Sequence, residues 1–523
     1  MPNRRSPGSH SVSTQTATSN ASTPALSRTA WFQRSWRAGM AEWEAAARGG
    51  FARWLHGAFQ HAQPSPSRTP RFNGATPCET RPALHISRVK LGQPDAARNS
   101  AVCARPGEHG KFLVIKTDGR FALSNLAITM KVEFYGHVHQ YRNIQAEIDA
   151  NLQKVLLSGN YVQGPMLKQF EAELAAYSGT KYAVGVGNGT DAIWLVLMAL
   201  GIGPGDEVIT HPNTFFATAE AIWIAGATAV FVDCCPKTKC ICPDKIEAAI
   251  TPRTKAIIPV HLYGQCADMI AIRKIADKHG LKLIEDNAQA IGAHGRGFKI
   301  AELSDAATTS FIIQKNLGTF GDGGAVVTNN PDIDARVRKL RNHGSNQRNV
   351  HSFGFNSRLD DLHAGVLSAK LKHIDAWNDL RRQWAARYTA GLKDCQTIDL
   401  PIELLGYRHV YHLYVIETKK PEWRDPLLDF LVKEGIDAKT HYSIAIHKQD
   451  GFPWGKGACL VGPLTNAEAN AACCISLPMY PELTEAEVDY VIAKVREWDA
   501  RHAAEAPAGK GPAQSGATCA SCS

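Results

Sequence analysis

From Met130 to about Trp498, short apolar runs alternate with stretches whose apolar residues return every three or four positions. KYAVGVG, DEVITHP, TAVFVD, KAIIPVHLYG, KLIED and GGAVVTN read as strands. Between them, TDAIWLVLMALGI, TFFATAEAIWIAG, IEAAIT and MIAIRKIADKHG read as helices. Apolar strands joined by amphipathic helices predict an α/β domain on a largely parallel sheet. Ahead of them, MKVEFYGHVHQ gives a short strand-like start, and Ile144, Ile148, Leu152 and Val155 mark an amphipathic helix. The pattern turns long and helical near Leu362–Leu392, and RHVYHLYVIET then opens a smaller α+β unit. The expected division is a large domain over 130–375, a small C-terminal domain over 376–498 and a disordered tail over 499–523.

The first 129 residues look different. Residues 1–30 are rich in Ser, Thr, Pro and Asn with no apolar period, which predicts disorder. Over residues 31–60, Phe32, Trp36, Trp43, Phe51 and Trp54 recur at helical steps among Arg34, Arg37, Arg48 and Arg53. That is a basic, aromatic amphipathic helix, suited to a membrane surface or to targeting. Residues 62–129 show no steady period. Ordered-looking sequence starts so abruptly at Met130 that it is the expected biological start, with residues 1–129 an over-extension or appendage.

Charge sharpens this division. The net +9 of the 523 residues arises upstream: residues 1–129 hold 17 Lys and Arg against 6 Asp and Glu, and the remainder 41 against 43. The body is almost neutral, so its composition does not imply nucleic-acid binding. No run of about 18 uncharged apolar residues exists to span a membrane, and no secretory leader is evident. A cytoplasmic protein is the expectation. Its 13 Cys then predict reduced thiols and no disulfide framework. Cys234, Cys235, Cys240 and Cys242 cluster in VDCCPKTKCICPD, but their spacing is not that of a zinc finger or ribbon, and no metal is expected.

Three segments carry candidate chemistry. GVGNGTDAI joins a strand to a helix, where Gly189, Thr190 and Asp191 would offer amides and a hydroxyl to a phosphate. In LIEDNAQAIGA, Asp286 follows an apolar strand at its C-terminal end, where α/β sheets gather ligands. A carboxylate there can keep a pyridine nitrogen protonated, or it can cap the next helix. In TTSFIIQKNLGTFGDGGAVVTN, Lys315 follows Ser310 across an apolar stretch. A lysine against apolar surface loses pKa and becomes a nucleophilic amine able to form a Schiff base.

In this order, GNGTDA, DEVITHPNTFFATAEAI, EDNAQAIGA, SFIIQKNLGTFGDGGAVVTN, RNHGS, GFNSRLDDLHAG and HLYVI resemble the DegT/DnrJ/EryC1/StrS family of pyridoxal-phosphate sugar aminotransferases, over about residues 130–498. The resemblance implies an aspartate-aminotransferase fold (fold type I), with a large α/β domain and a smaller C-terminal α+β domain. It assigns Lys315 to the Schiff base with pyridoxal 5'-phosphate, Asp286 to the pyridine nitrogen and Gln289 to the phenolic oxygen. Phe215 would stack on the ring, while Gly189, Thr190, Asp191 and Ser310 surround the phosphate. Asn356 would reach the phosphate of a neighbouring subunit, which implies a homodimer. The reaction implied moves an amino group from glutamate to a keto group of a nucleotide-linked deoxysugar, a 3-keto or 4-keto 6-deoxyhexose, for glycan or antibiotic sugar building. Lys315 would carry the proton as general base and acid.

Asn287, Ile291, Ile312, Ile313, Gln314, His363 and Ser443 depart from the family's commonest residues, and are expected near the substrate. Two alternatives differ in class. Some relatives are dehydratases with His in place of the lysine, and a cofactor-binding regulator would perform no turnover.

Overall fold

The computed structural model describes residues 113–117, 120–124, 130–347, 349–450 and 457–509. The expected helix at 31–60 lies outside the described residues. Leu113–Thr117 and Arg120–Ser124 pair as an antiparallel hairpin, where no strand was expected. Its sequence signal is the Asp118–Gly119 pair between two apolar runs, which a search for a steady period passes over.

A strand covered on both faces must be apolar at successive positions, and the main sheet is built that way. It comprises β1 (Tyr182–Val186), β2 (Glu207–Thr210), β3 (Thr228–Phe231), β4 (Thr254–Ile257), β5 (Lys282–Asp286), β6 (Ala306–Ser310) and β7 (Gly324–Thr328). An edge strand at Ala458–Leu460 completes the order edge–β3–β2–β4–β5–β6–β7–β1. Ile209, Val230, Ile257 and Leu283 belong to one buried core. Their neighbours Val208, Ala229, Ala256 and Ile284 belong to the core on the other face. The two-residue period thus feeds two apolar layers.

Two features differ from the expected largely parallel sheet. β7 runs antiparallel to both β6 and β1, so the sheet is mixed. β6 (AATTS) is small and polar and was not recognised as a strand. Its partners on both sides supply the pairing that its composition does not advertise. The strand-like start at Met130 reduces to one parallel bridge, Val132 to Ile436.

Helices cover the sheet: α1 (Gln145–Ser158), α2 (Pro165–Ser178), α3 (Gly189–Ala199), α4 (Ala217–Ile224), α5 (Met269–His279), α6 (Pro331–Leu340) and α7 (Asp361–Leu371). The long helical stretch resolves into α7 and α8 (Ile374–Leu392). The buried Asp361 carboxylate ties this region to α2, accepting from the amides of Gly164 (2.7 Å), Met166 (3.0 Å) and Leu167 (3.1 Å). A second, three-stranded antiparallel sheet follows, ordered β8 (Ile398–Asp399), β9 (Tyr414–Thr418), β10 (Cys474–Leu477). Its core draws on α8, on α9 (Arg424–Lys433) and on α10 (Glu485–His502) through Tyr388, Leu427, Ile475, Val488 and Val491.

The cysteine-rich loop folds back on itself, with Cys235 N donating to Cys240 O at 2.8 Å and Cys242 N to Asp233 O at 3.2 Å. Among the described residues no group of three His, Cys, Asp or Glu is placed to hold a metal ion. Cys234 and Cys240 are buried free thiols. Among the described residues no helix is long and apolar enough to cross a membrane.

Candidate active site

Strand register sets the site. Thr308 of β6 lies beside Asp286 of β5, and Ser310 pairs with Gly324 of β7, which pairs with Val186 of β1. The C-terminal ends of β1, β5 and β6 therefore share one edge of the sheet. α3 starts there, and a Cβ added at Gly324 would lie 2.3 Å from the Asn188 carbonyl oxygen. Only glycine lets β7 begin so close to the start of α3. Gly189 approaches Ser310 in the same way, since an added Cβ would meet the Ser310 Cβ at 2.7 Å.

A cavity of about 670 Å³ opens at this edge. Eight of the nine residues singled out from the sequence line it: Gly189, Thr190, Asp191, Phe215, Asp286, Gln289, Ser310 and Lys315. Asn356 does not. It is exposed, on a segment bridged to Asn342. Of the departing residues, Ile312 and Gln314 line the cavity, whereas Asn287, Ile291, Ile313, His363 and Ser443 are not among its lining residues.

Asp286 is buried, with one carboxylate oxygen accepting from the Thr218 hydroxyl at 2.8 Å and the other from the Ala288 amide at 3.1 Å. Burial raises its pKa, while Thr218, Ala288 and the Lys315 charge oppose that rise. Burial likewise pushes the Lys315 ammonium down to about 8, with Asp286 pulling the other way. Each group thus strains against its own charge, which is the electrostatic pattern of a working site.

Around them the polar groups are fixed. Gln289 accepts from the Tyr263 amide at 2.8 Å and donates to the Tyr442 hydroxyl at 3.1 Å. That leaves its amide nitrogen one further hydrogen to give. Phe215 is 55% exposed, so part of its ring is uncovered toward the cavity mouth. At the start of α3, the Asn188 side chain accepts the Asp191 amide at 2.8 Å. The Asp191 carboxylate accepts from Trp194 Nε1 (3.1 Å) and the Ser357 hydroxyl (2.6 Å). Asp191 is consequently committed to shaping the turn. The helix cap thus takes up the Asp191 amide, and the amides of Gly189 and Thr190 lie beside the hydroxyls of Thr190 and Ser310 at the cavity.

Sequence reasoning missed Thr218, Tyr135, His412, His441 and Tyr442, which also line the cavity. Thr218 sits in a helix that reads as purely apolar packing, and only its contact with Asp286 gives it away. His412 opens the HLYVI motif but had no assigned task. Burial lowers the pKa of His412 well below the ordinary range and that of His441 to about 4.

One half-buried amine, one buried carboxylate, a helix start flanked by hydroxyls and an exposed aromatic ring make a donor set that fits pyridoxal phosphate. The fold and this site define a pyridoxal-phosphate enzyme of fold type I, an aminotransferase. The chain belongs to the DegT/DnrJ/EryC1/StrS aminotransferase family, whose model matches residues 142–496. It is 46% identical over 372 residues to the pleiotropic regulatory protein of Geobacillus stearothermophilus, covering 71% of this chain and 99% of that protein. It is 45% identical over 380 residues to the dTDP-3-amino-3,4,6-trideoxy-alpha-D-glucose transaminase of Streptomyces venezuelae, covering 72% and 99%. The UDP-2-acetamido-2-deoxy-3-oxo-D-glucuronate aminotransferase of Pseudomonas aeruginosa is 41% identical over 363 residues, covering 69% and 99%. Among solved structures, S. venezuelae DesV in complex with a ketimine intermediate matches with TM-score 0.68 and 45% identity, over 71% of this chain and 98% of that one. NtdA of Bacillus subtilis with bound cofactor PMP matches with TM-score 0.65 and 36% identity, over 70% and 85%.

Proposed function

We propose that this aminotransferase transfers the amino group of glutamate to the keto carbon of a nucleotide-linked deoxysugar, with C3 the favoured position. The observation that carries the reading is half-buried Lys315 and buried Asp286 in one cavity with the start of α3 and Ser310. The activities for which the S. venezuelae and P. aeruginosa relatives are named, both concerned with a 3-amino or 3-oxo sugar, support C3.

Pyridoxal phosphate, when bound, supplies an electron sink for the carbon that bears the amino group. The chain supplies the rest. Gly189, Thr190 and Ser310 would hold the phosphate, Phe215 would cover the ring, and Gln289 would donate to the phenolic oxygen. Asp286 would hold a proton on the pyridine nitrogen, because a buried carboxylate favours an adjacent cation over a neutral base. Lys315, with its pKa brought down near 8, would accept and return a proton at the donor's α-carbon near neutral pH. Asn356, absent from its own chain's cavity, would complete the site of a second copy, making the active unit a homodimer with shared sites. The same reading divides the chain into a large domain over 130–375 and a small one over 376–498, with α10 carrying helix on to His502 into the stretch expected as tail.

The protein should show an absorbance band near the visible edge that borohydride abolishes and Lys315→Ala lacks. An intact band in that variant would refute the lysine assignment. A dTDP- or UDP-linked 3-ketosugar with glutamate should yield 2-oxoglutarate. A second reading, a regulator without turnover, is favoured only by the G. stearothermophilus relative's name, and formation of 2-oxoglutarate separates the two.

A further inference from the structure

His412 is buried, lines the cavity that holds Lys315, and leads into β9. A chain of amide hydrogen bonds fixes which of its ring nitrogens carries the proton. At the far end, Asn378 Nδ2 donates to the Ile291 carbonyl at 2.9 Å. A carbonyl only accepts, so the Asn378 amide oxygen faces the other way. That oxygen accepts from Asn316 Nδ2 at 2.8 Å, and the same nitrogen donates to the Val410 carbonyl at 3.1 Å. Asn316 therefore turns its own oxygen toward His412 Nδ1, 3.1 Å away. An amide oxygen has no proton to give, so His412 Nδ1 is the donor. A neutral imidazole carries one ring proton, which leaves Nε2 with a bare lone pair. Burial favours that neutral ring, as do the charges of Lys315 and Arg381. The far anchor is tightly packed, since a Cβ at Gly292 would lie 2.6 Å from Asn378 Nδ2.

We propose that His412 is a positioning residue whose Nε2, bared by the Asn316 hydrogen bond, accepts an N–H of the Lys315 ε-amine once that amine has been released from the bound cofactor. An amine that ferries a proton works only with its lone pair aimed at the reacting carbon. Holding one N–H on Nε2 sets that aim. Asn316 follows Lys315 directly in the chain, so one residue sets the backbone after the lysine and the tautomer of the histidine beside it. The inference rests on the proposed role of Lys315 as proton carrier.

The first test reads ring nitrogens by NMR in the ¹⁵N-histidine-labelled holoenzyme. The resonances lost in His412→Gln should be those of a protonated Nδ1 and an unprotonated Nε2. Asn316→Leu should move the proton toward Nε2. In the pyridoxamine-phosphate form, where Lys315 is free, the Nε2 resonance should differ from that in Lys315→Met. A protonated Nε2 in the wild type, or an Nε2 resonance indifferent to Lys315→Met, overturns the proposal. The second test follows exchange of the glutamate α-hydrogen with deuterated solvent, without ketosugar. His412→Leu should slow it on the order of tenfold, and His412→Gln, which keeps an acceptor, should recover most of the rate. Unchanged exchange in His412→Leu with a raised KM for the sugar would assign Nε2 to the substrate and overturn the Lys315 role. Absence of exchange in the wild type counts against glutamate as donor, while the nitrogen resonances decide the histidine independently.

Discussion

Replacing Lys315 with Met should make the cofactor-free protein more stable relative to wild type at neutral pH than at alkaline pH. In the fold, loss of solvent around the ammonium brings its pKa from 10.5 to about 8. A lysine with a depressed folded pKa binds fewer protons folded than unfolded between those two values. Its burden on stability is therefore complete below pH 8 and is relieved as pH rises through 8 toward 10.5. At 1.36 kcal/mol per unit, the full burden is about 3 kcal/mol. About 2 kcal/mol of it is relieved between pH 7 and 9.5. Methionine has similar bulk and no charge, so it carries no such burden. Removing the ammonium also strips Asp286 of its cation, which offsets part of the gain. That offset is already contained in the pKa of about 8, which Asp286 holds up against burial, so it needs no separate term. Lys370, also buried and lowered to about 8, cancels between the two proteins. Urea unfolding of both apoproteins at pH 7 and 9.5, at equal concentration, measures the difference. An advantage of Met that is flat or rising with pH would show that Lys315 is not desolvated as described.

Three further outcomes follow from the site. Thr218→Val removes the hydrogen bond to Asp286 while keeping shape, and should lower kcat about five- to thirtyfold, equivalent to ~1–2 kcal/mol; an unchanged kcat would detach Thr218 from the chemistry. Gly189→Ala should weaken pyridoxal-phosphate affinity about tenfold, measured by titrating the apoprotein, because the new Cβ meets Ser310 at 2.7 Å. The apoprotein's melting temperature should change little, since alanine suits a helix better than glycine. Mixing refolded Lys315→Ala and Asn356→Ala subunits should restore about a quarter of wild-type activity if sites are shared across a two-fold axis. No recovery would make each site self-contained.

The sequence by itself determined the layered α/β plan and the chemistry of the cavity. β2 to β5 are legible because a strand buried on both faces must be apolar throughout, and their helices because one face must be apolar every three or four residues. Lys315, Asp286 and Gly189 are legible because a desolvated amine, a strand-end carboxylate and a glycine at a helix start each leave a local mark. Tertiary structure alone decided what depends on pairing or on distant partners. The polar run AATTS becomes β6 only because β5 and β7 flank it, and β7 runs antiparallel although its own residues would serve either direction. Thr218 becomes the partner of Asp286, and the Asp191 amide is taken up by the Asn188 side chain. His412 acquires its tautomer through Asn316 and Asn378, 96 and 62 residues apart along the chain in their respective bonds. A hydrogen bond's direction is set by what lies at its other end, and local sequence does not contain that end.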